Sequence, residues 1–298
     1  RGAVFAVLDQ LAARPTAVGH RLVHGGADHI SPERIDAALR AALDRLVPLS
    51  PLHLPVELAA IDAVSLRLGD VPQVACFDTA FHASLPEVAR RLALPAALAD
   101  AGVRRYGFHG LSYASIVAAL PPERLQRAVI AHLGSGASMA AIRDGRSVET
   151  TMGFSPAGGL VMATRPGGLR ALSGTTGDMR RLLERRDADP AAALAVEAFC
   201  YHARKAIGAL AAVLGGIETL VFTGGIGEHA AVIRAEICRG LDHLGIALDE
   251  AGNAAGAPVI GTGRCEVRVM RTDEEREIAR ATCRVLGEPS PAPGRHFA

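Results

Sequence analysis

Strand-like and helical patterns alternate along most of the chain, and this alternation limits the fold more than any other feature. Short apolar runs typical of buried strands lie at residues 17–23, 73–77, 128–133, 138–143, 219–222 and 267–271. The spacing of apolar residues predicts helices at 3–13, 33–46, 56–68, 112–120, 191–214, 229–240 and 274–286. Such alternation favours an α/β fold, in which helices and sheets pack in layers.

Size and composition exclude several classes of protein. The 298 residues suffice for two domains of ordinary size, and 49% of them are hydrophobic, which excludes a disordered chain. With a net charge of +1 and no apolar run long enough to cross a bilayer, we expect neither nucleic acid nor a membrane as partner. The five cysteines include no Cys-x-x-Cys pair, which favours reduced thiols in a cytoplasmic protein.

Two glycine-rich segments are candidates for binding phosphate groups. Residues 132–138 (HLGSGAS) join two strand patterns, where glycine lets backbone amides approach an anion, although an ordinary tight hairpin is the alternative. Residues 223–229 (TGGIGEH) lead from a strand into a helix, whose first N–H groups attract phosphate. This second segment also fits a GxGxxA dinucleotide pattern that begins at Gly225, with Asp249 about twenty residues on, so an NAD-dependent dehydrogenase stays open.

Five charged or titratable residues stand out by position. Arg21 lies just inside a strand end and Arg165 lies in TRPG; guanidinium groups bind carboxylate or phosphate with two donors. Asp78 follows a strand, where open sheets place magnesium ligands and substrate contacts. Glu274 begins the last helix, where an acidic first turn is the simpler explanation. His109 stands between glycines in YGFHG, which indicates a close approach of chain segments.

Taken in order, these segments resemble the acetate kinase family, which includes propionate and butyrate kinases. The matching strings are GHRLVHGG, LSPLHLP, CFDTAFH, RRYGFHG, HLGSGAS, GFSPAGGLVMATRPGG, LSGTTGDMR, FTGGIGEH and RTDEE, over residues 17–285. The dehydrogenase interpretation explains one of these nine segments. The resemblance implies two related α/β domains of the sugar kinase, Hsp70 and actin (ribonuclease H-like) type, with the active-site cleft between them. It further implies a homodimer, and we assign residues 1–80 with 274–298 to one domain and 81–273 to the other.

The resemblance also implies the reaction, which is reversible Mg²⁺-dependent phosphoryl transfer between ATP and acetate, giving acetyl phosphate and ADP by direct in-line transfer. Arg21 and Arg165 then flank the transferred group and His109 contacts it, while Asp78 and Glu274 organise Mg²⁺. The carboxylate's methyl pocket maps to Val23, Leu52, Phe108 and Pro156, a size at which acetate and propionate are both accepted. The nucleotide positions are His132, Gly134, Ser135, Gly136, Asp178, Met179, Arg180, Gly225, Ile226 and His229.

Several features depart from the family pattern. The family's opening Asn-x-Gly-Ser-Ser-Ser motif has no counterpart here, and tens of residues that follow the family's equivalent of Gly167 are absent. We therefore expect this sequence to lack residues, including the first strands, that the whole protein contains. Ser135 and His229 replace family asparagines, so we expect an altered nucleotide affinity, and Leu54 replaces a third. Besides acetate kinase, a propionate or butyrate kinase and a catalytically impaired nucleotide-binding homologue stay open.

Overall fold

The structure, a computed structural model, describes residues 2–11, 13–164 and 167–289. Its strands form two sheets. The first sheet has the order β1-β3-β2 and contains β1 (Val18–Leu22), β2 (Glu33–Arg34) and β3 (Gln73–Phe77). The second has the order β6-β5-β4-β7-β8 and contains β4 (Arg127–Leu133), β5 (Ala137–Arg143), β6 (Arg146–Thr150), β7 (Thr219–Thr223) and β8 (Glu266–Val269).

Helices connect and cover these strands. Those of the first part are α1 (Gly2–Leu8), α2 (Ala37–Arg45), α3 (Leu54–Leu68), α4 (Glu87–Arg90), α5 (Ala96–Asp100) and α6 (Gly110–Ala119). They are followed by α7 (Leu169–Ser173), α8 (Met179–Arg185), α9 (Pro190–Leu214), α10 (Gly224–His229), α11 (Ala231–Cys238), α12 (Glu250–Ala255) and α13 (Glu274–Leu286). Within the described ranges, no helix combines the length and the apolar character needed to cross a membrane.

The central strands are buried, as their apolar composition predicts. Every residue of β3 and of β7 is buried, because helices cover both faces of parallel strands of this kind. β4 pairs in parallel with β7 and forms the predicted antiparallel hairpin with β5. One face of this second sheet packs on α9, where Phe199 and Ile207 join Val129 and Ala131 in the largest cluster of buried side chains.

The last helix packs against the first sheet. Ala281 of α13 shares a buried cluster with Val74 and Cys76 of β3. Gly19 of β1 lies so close to α13 that a Cβ there would stand 2.4 Å from Ile278 Cγ2. This packing brings the first turn of α13 to the carboxyl end of β1, although the domain boundaries given above stay a prediction.

Three predicted helices need correction. Residues 33–34 form the edge strand β2, and α2 starts later because the Asp36 carboxylate caps it, accepting the N–H of Leu39 at 2.8 Å. The helix predicted at 229–240 is two helices: α10 starts at Gly224, directly after β7, and a non-helical Ala230 separates it from α11. The helix predicted at 3–13 ends at Leu8. The other predicted helices and strands agree with the structure within a few residues.

Candidate active site

Two neighbouring parallel strands position the first pair of charged residues. Arg21 is the fourth residue of β1, and Asp78 directly follows β3, so the carboxyl ends of both strands meet there. Arg21 Nη2 donates to Asp78 Oδ2 at 2.6 Å and Nε to Oδ1 at 3.4 Å. The Asp78 side chain is 1% exposed, whereas that of Arg21 is 44% exposed. Asp78 therefore holds the guanidinium from its buried side, and the exposed part of the guanidinium stays accessible to an anion.

Further carboxylates approach the same guanidinium. Glu274 Oε2, from the first turn of α13, lies 3.6 Å from Arg21 Nε. Glu57 Oε2, from α3, accepts the backbone N–H of Val23 at 3.0 Å. Burial alone would lower the pKa of Arg21, but Asp78, Glu274 and Glu57 raise it above its ordinary value, so the residue stays charged. Burial raises the pKa of both Glu57 and Glu274, and Arg21 opposes this rise. Sequence reasoning missed Glu57.

These carboxylates are the donors that Mg²⁺ prefers. Among residues 2–11, 13–164 and 167–289, no cluster of three or more His, Cys, Asp or Glu side chains has the arrangement of a complete metal site. Asp78 and Glu274 instead supply two carboxylates that both lie close to the Arg21 guanidinium. Such a donor set fits Mg²⁺, which is commonly bound through one or two carboxylates together with substrate phosphates and water.

The glycines on either side of the Phe108–His109 pair hold His109 beside Asp78. His109 precedes α6 with a left-handed backbone (φ 60°). A Cβ on the next residue, Gly110, would lie 2.0 Å from the carbonyl oxygen of Asp78. On the other side, a Cβ on Gly107, whose φ is +73°, would lie 2.5 Å from the ring of His82. Only glycine allows these approaches, so the YGFHG segment fixes His109 beside the Arg21–Asp78 ion pair.

A second imidazole stacks on His109. The rings of His109 and His132 are 4.4 Å apart at an interplanar angle of 28°. Each ring meets a serine at Nδ1: Ser138 Oγ lies 2.8 Å from His109, and Ser112 Oγ lies 2.8 Å from His132. Burial, helped by His109, lowers the pKa of His132 to about 3, so this ring is neutral near pH 7. No sequence pattern pairs either serine with a particular histidine.

The two glycine-rich segments meet at a cavity of about 820 Å³. A Cβ on Gly224 would lie 2.9 Å from the carbonyl oxygen of Leu133, which shows how closely the two turns pack. The cavity is lined by eight of the ten residues predicted to bind nucleotide, namely Gly134, Ser135, Asp178, Met179, Arg180, Gly225, Ile226 and His229. The other two lie beside it: Gly136 accepts the N–H of Gly134 at 2.9 Å, and His132 Nε2 stands 3.6 Å from the Cβ position of Gly134.

The opposite wall of the cavity comes from the segment around α8. The Asp178 carboxylate caps α8, accepting two backbone N–H groups of its first turn at 2.9 and 3.4 Å. Gly177 packs so tightly that a Cβ would lie 2.3 Å from the carbonyl oxygen of Ala163. The N–H of Ala163 in turn donates to the carbonyl of Ser135 at 3.2 Å. Arg170, which sequence reasoning missed, adds a cation to this lining.

The predicted carboxylate pocket is only partly assembled from buried side chains. Val23 and Phe108 are buried in one cluster. Pro156 is half-buried, and Leu52 lies in a turn before α3 with 77% of its surface exposed, so its predicted place in the pocket stays a prediction. Arg165 lies outside the described residues. Its predicted role beside Arg21 therefore stays a prediction.

Another buried imidazole, that of His24, packs behind this pocket. His24 is fully buried, and its ring contacts Tyr106 and Phe108 edge-on with centroids 4.4 and 5.5 Å away. Its Nδ1 accepts the N–H of Gly26 at 2.9 Å. Burial, with the charge of Arg104, lowers the pKa of His24 to about 4.

With this geometry in place, comparison with known proteins identifies the family. The sequence model of the Acetokinase family matches residues 5–169 and 165–280. The chain belongs to the acetokinase family. One acetokinase relative, the acetate kinase of Nitrobacter hamburgensis, is 43% identical over 323 positions, covering 97% of this chain and 80% of the relative. The acetate kinase of Rhizobium meliloti is 45% identical, covering 92% of this chain and 78% of the relative.

Solved acetokinase structures share the fold. The acetate kinase of Porphyromonas gingivalis superimposes with a TM-score of 0.86 at 32% identity, covering 96% of this chain and 84% of that one. A propionate kinase from Francisella tularensis gives a TM-score of 0.89 at 32% identity, covering 94% and 82%. The predicted fold class is thus confirmed. The dehydrogenase alternative is wrong, and Asp249, its proposed ribose ligand, instead caps α12 by accepting the N–H of Ala251 at 3.2 Å.

Proposed function

We propose that the protein is an acetate kinase, which transfers a phosphoryl group reversibly between ATP and acetate. One observation carries this proposal. His109 lies between the Arg21–Asp78 ion pair and the glycine loop at residues 132–138. Gly110, the next residue, packs on the Asp78 carbonyl, and a Cβ on Gly136 of the loop would lie 3.0 Å from His109 Nε2. A nucleotide in the large cavity therefore has its phosphates near that loop, at the side of the cavity that faces Arg21 and Asp78.

The chemistry needs no general base. Acetate has a pKa of about 4 and is already ionised near pH 7. One of its carboxylate oxygens attacks the γ-phosphorus in line, the new O–P bond forms as the bond to the β-phosphate oxygen breaks, and ADP leaves with the electron pair. Catalysis then consists of positioning and charge stabilisation. Arg21 and Arg165 stabilise the transferring group, and His109 donates a hydrogen bond to it.

We further propose that Asp78 and Glu274 help to hold Mg²⁺ with the nucleotide phosphates. When bound, the ion neutralises charge on the β- and γ-phosphates. Asp78 has a second task, because its ion pair fixes the Arg21 guanidinium with one face toward the substrate. Glu274 contacts the same guanidinium from α13.

The carboxylate's alkyl group is expected to rest on Val23 and Phe108, with Pro156 beside them and Leu52 at the rim. These are small contacts, and one methylene changes discrimination by only about 1–3 kcal/mol. Propionate is therefore the second candidate substrate, in keeping with the structural similarity to a propionate kinase. Acetate is favoured because the relatives of highest identity reported above are named acetate kinases.

We also propose a cytoplasmic homodimer. Leu194 and Tyr201 lie seven residues apart on one side of α9 and are each more than half exposed, at 55% and 53%. A second copy of the chain would cover them. The molar mass in solution, measured by light scattering, distinguishes a dimer from a monomer.

The test uses acetate and MgATP with hydroxylamine, which converts acetyl phosphate to a coloured hydroxamate. Product from acetate, a smaller yield from propionate and butyrate, and loss of product in Arg165→Ala would support the proposal. A folded wild-type protein that gives more product from propionate would move the assignment to propionate kinase. A protein that is stabilised by MgADP but gives no product from any of the three acids would indicate an impaired nucleotide-binding homologue.

A further inference from the structure

Behind His109 lies a chain of hydrogen bonds that the sequence analysis did not foresee. Ser138 Oγ lies 2.8 Å from His109 Nδ1, and the hydroxyl of Tyr113 lies 2.5 Å from the same Ser138 Oγ. Tyr113 belongs to α6 and Ser138 to β5, and both side chains are fully buried. Bulk water therefore does not reach either hydroxyl, and the hydrogen bonds that each makes within this group of three decide how its hydrogen is satisfied.

Counting hydrogens decides the direction of these bonds. Each hydroxyl carries one hydrogen, and a neutral imidazole carries one hydrogen on either Nδ1 or Nε2. If Nδ1 of His109 carried a hydrogen, it would donate to Ser138, and the hydroxyl hydrogen of either Ser138 or Tyr113 would have no acceptor within the described part of the chain. If Nδ1 is bare, Tyr113 donates to Ser138 and Ser138 donates to Nδ1, so both hydroxyl hydrogens have an acceptor.

The other ring nitrogen then carries the hydrogen and faces the glycine loop. A Cβ placed on Gly136 would lie 3.0 Å from His109 Nε2, so this nitrogen points to the loop proposed to hold phosphate. We propose that Tyr113 and Ser138 are positioning residues that hold His109 in its Nε2–H tautomer, with that N–H directed at the transferred phosphoryl group. The tautomer follows from the hydrogen bonds alone, whereas what the N–H meets rests on the proposed function.

The neighbouring histidine provides a matched control. Ser112 meets His132 Nδ1 at the same distance, 2.8 Å, but no second hydroxyl stands behind it in the described hydrogen bonds. Removing the Ser112 hydroxyl thus deletes the same kind of serine–imidazole bond in the stacked ring of His132, whose centroid lies 4.4 Å from that of His109. It leaves Ser138 and Tyr113 in place. An effect common to both serine variants would reflect general disturbance of the stack.

The test is nitrogen NMR on protein labelled with ¹⁵N in its 11 histidines, with His109→Gln to assign the signals. Two-bond correlations distinguish Nδ1–H from Nε2–H directly. We expect the Nε2–H pattern for His109 in the wild type and in Ser112→Ala, and a mixed or Nδ1–H pattern in Ser138→Ala. Ser138→Thr keeps the hydroxyl and should restore the wild-type pattern. An Nδ1–H wild type, or a Ser138→Ala spectrum identical to that of the wild type, would overturn the proposal.

Kinetics supply a second readout. Loss of an aligned donor in the transition state should lower the kcat of Ser138→Ala by about tenfold to a hundredfold, while the KM values for nucleotide and carboxylate change by less than about threefold. Tyr113→Phe should give a smaller fall, because Ser138 can still donate to Nδ1. An unchanged kcat in Ser138→Ala would overturn the role of the donor. If wild-type protein phosphorylates no carboxylate yet shows the Nε2–H pattern, the proposed function fails and the tautomer assignment stands.

Discussion

The two sides of the cleft differ in how they are built to meet an anion. At the end of the first sheet, Arg21 is surrounded by the carboxylates of Asp78, Glu274 and Glu57, so the local arrangement is an array of side-chain charges. At the end of the second sheet, the glycine loop and the first residue of α10 pack backbone against backbone, and the nearby imidazole of His132 is neutral. We therefore expect the first side to bind an anion through charged side chains and the second side to bind it through the close fit of its backbone.

The two sides should therefore tolerate different substitutions. A charged array is sensitive to the loss or displacement of a single side chain, because each charge sets the field at its neighbours. A surface formed by backbone atoms carries little charge but has no room for added atoms where segments touch. Side-chain truncation should therefore damage the first side most, and an added methyl group should damage the second.

The largest expected effect is at Arg21. Arg21→Ala should lower kcat by about 10³–10⁵, the range for losing an arginine at a phosphoryl transition state. Because the substitution also leaves Asp78 buried without its cation, Arg21→Lys should be measured beside it. Lysine keeps the charge but not the two-pronged donor set, so kcat should still fall by at least about a hundredfold.

The control for Arg21 is an arginine–carboxylate pair away from the cleft. Arg67 Nη2 pairs with Asp9 Oδ1 at 2.5 Å, and both side chains are half exposed. Arg67→Ala should leave kcat within about twofold and cost less than about 1 kcal/mol of stability. If Arg21→Lys behaved like Arg67→Ala, the charged array would have no role in turnover.

The next effect concerns two glycines that line the same cavity. A Cβ on Gly225 would meet nothing within 4 Å, whereas a Cβ on Gly177 would lie 2.3 Å from the Ala163 carbonyl oxygen. Gly177→Ala should therefore destabilise the fold by about 1–3 kcal/mol in urea unfolding. Gly225→Ala should change stability by less than about 0.5 kcal/mol. It should still raise the KM for MgATP about tenfold, the equivalent of 1.4 kcal/mol, because its methyl group enters the nucleotide space.

Two results for Gly225→Ala would contradict this prediction. If Gly225→Ala leaves the KM for MgATP unchanged while the variant is as stable as the wild type, the nucleotide does not approach the start of α10. A rise in the KM for acetate alone would mean that Gly225 lies near the carboxylate and not near the nucleotide. This result would contradict the separate roles proposed for the two sides.

Acidification should weaken the second side through its neutral histidine. The pKa of His132 is lowered by burial from 6.5 to about 3, so between those values the unfolded chain binds more protons than the folded one. The stability contribution is complete above about pH 6.5 and is lost as the pH falls, by about 2 kcal/mol at pH 5. Urea unfolding at pH 7 and pH 5 measures the total loss of stability, to which the other buried histidines, such as His24, also contribute. It should be smaller in His132→Gln, and equal losses in both proteins would contradict the cause.

The smallest effect is expected at Glu57 on the first side. Glu57→Gln keeps an oxygen that can accept the Val23 N–H but removes a negative charge near Arg21. The KM for acetate should fall by about twofold to fivefold, the equivalent of about 0.4–1 kcal/mol. Glu57→Ala, which loses the acceptor too, separates charge from hydrogen bonding. A higher KM for acetate in Glu57→Gln would mean that the carboxylate helps substrate binding.

The sequence predicted the contacts that motifs encode and missed those made across the fold. Arg21, Asp78 and Glu274 stand at element ends, where strand order and the last helix bring them together. Glu57 was missed because its partner is the backbone of Val23, 34 residues away, with no local pattern. Tyr113 and Ser138 were missed for the same reason, although the hydroxyl residues near both histidine motifs were a signal. Residues 33–34 read as helix because their pairing with β3 is a long-range contact.

Running the reaction in reverse tests the roles of both sides of the cleft in one assay. Wild type, Arg21→Lys and Gly225→Ala are mixed with acetyl phosphate and MgADP, and ATP is followed by luminescence at varied nucleotide concentrations. We expect rapid ATP formation by the wild type, a loss of kcat with little change in nucleotide KM for Arg21→Lys, and a raised nucleotide KM with little loss of kcat for Gly225→Ala. No ATP from folded wild-type protein, or the same kinetic defect in both variants, would contradict a cleft in which charge acts on the phosphoryl group and backbone shape holds the nucleotide.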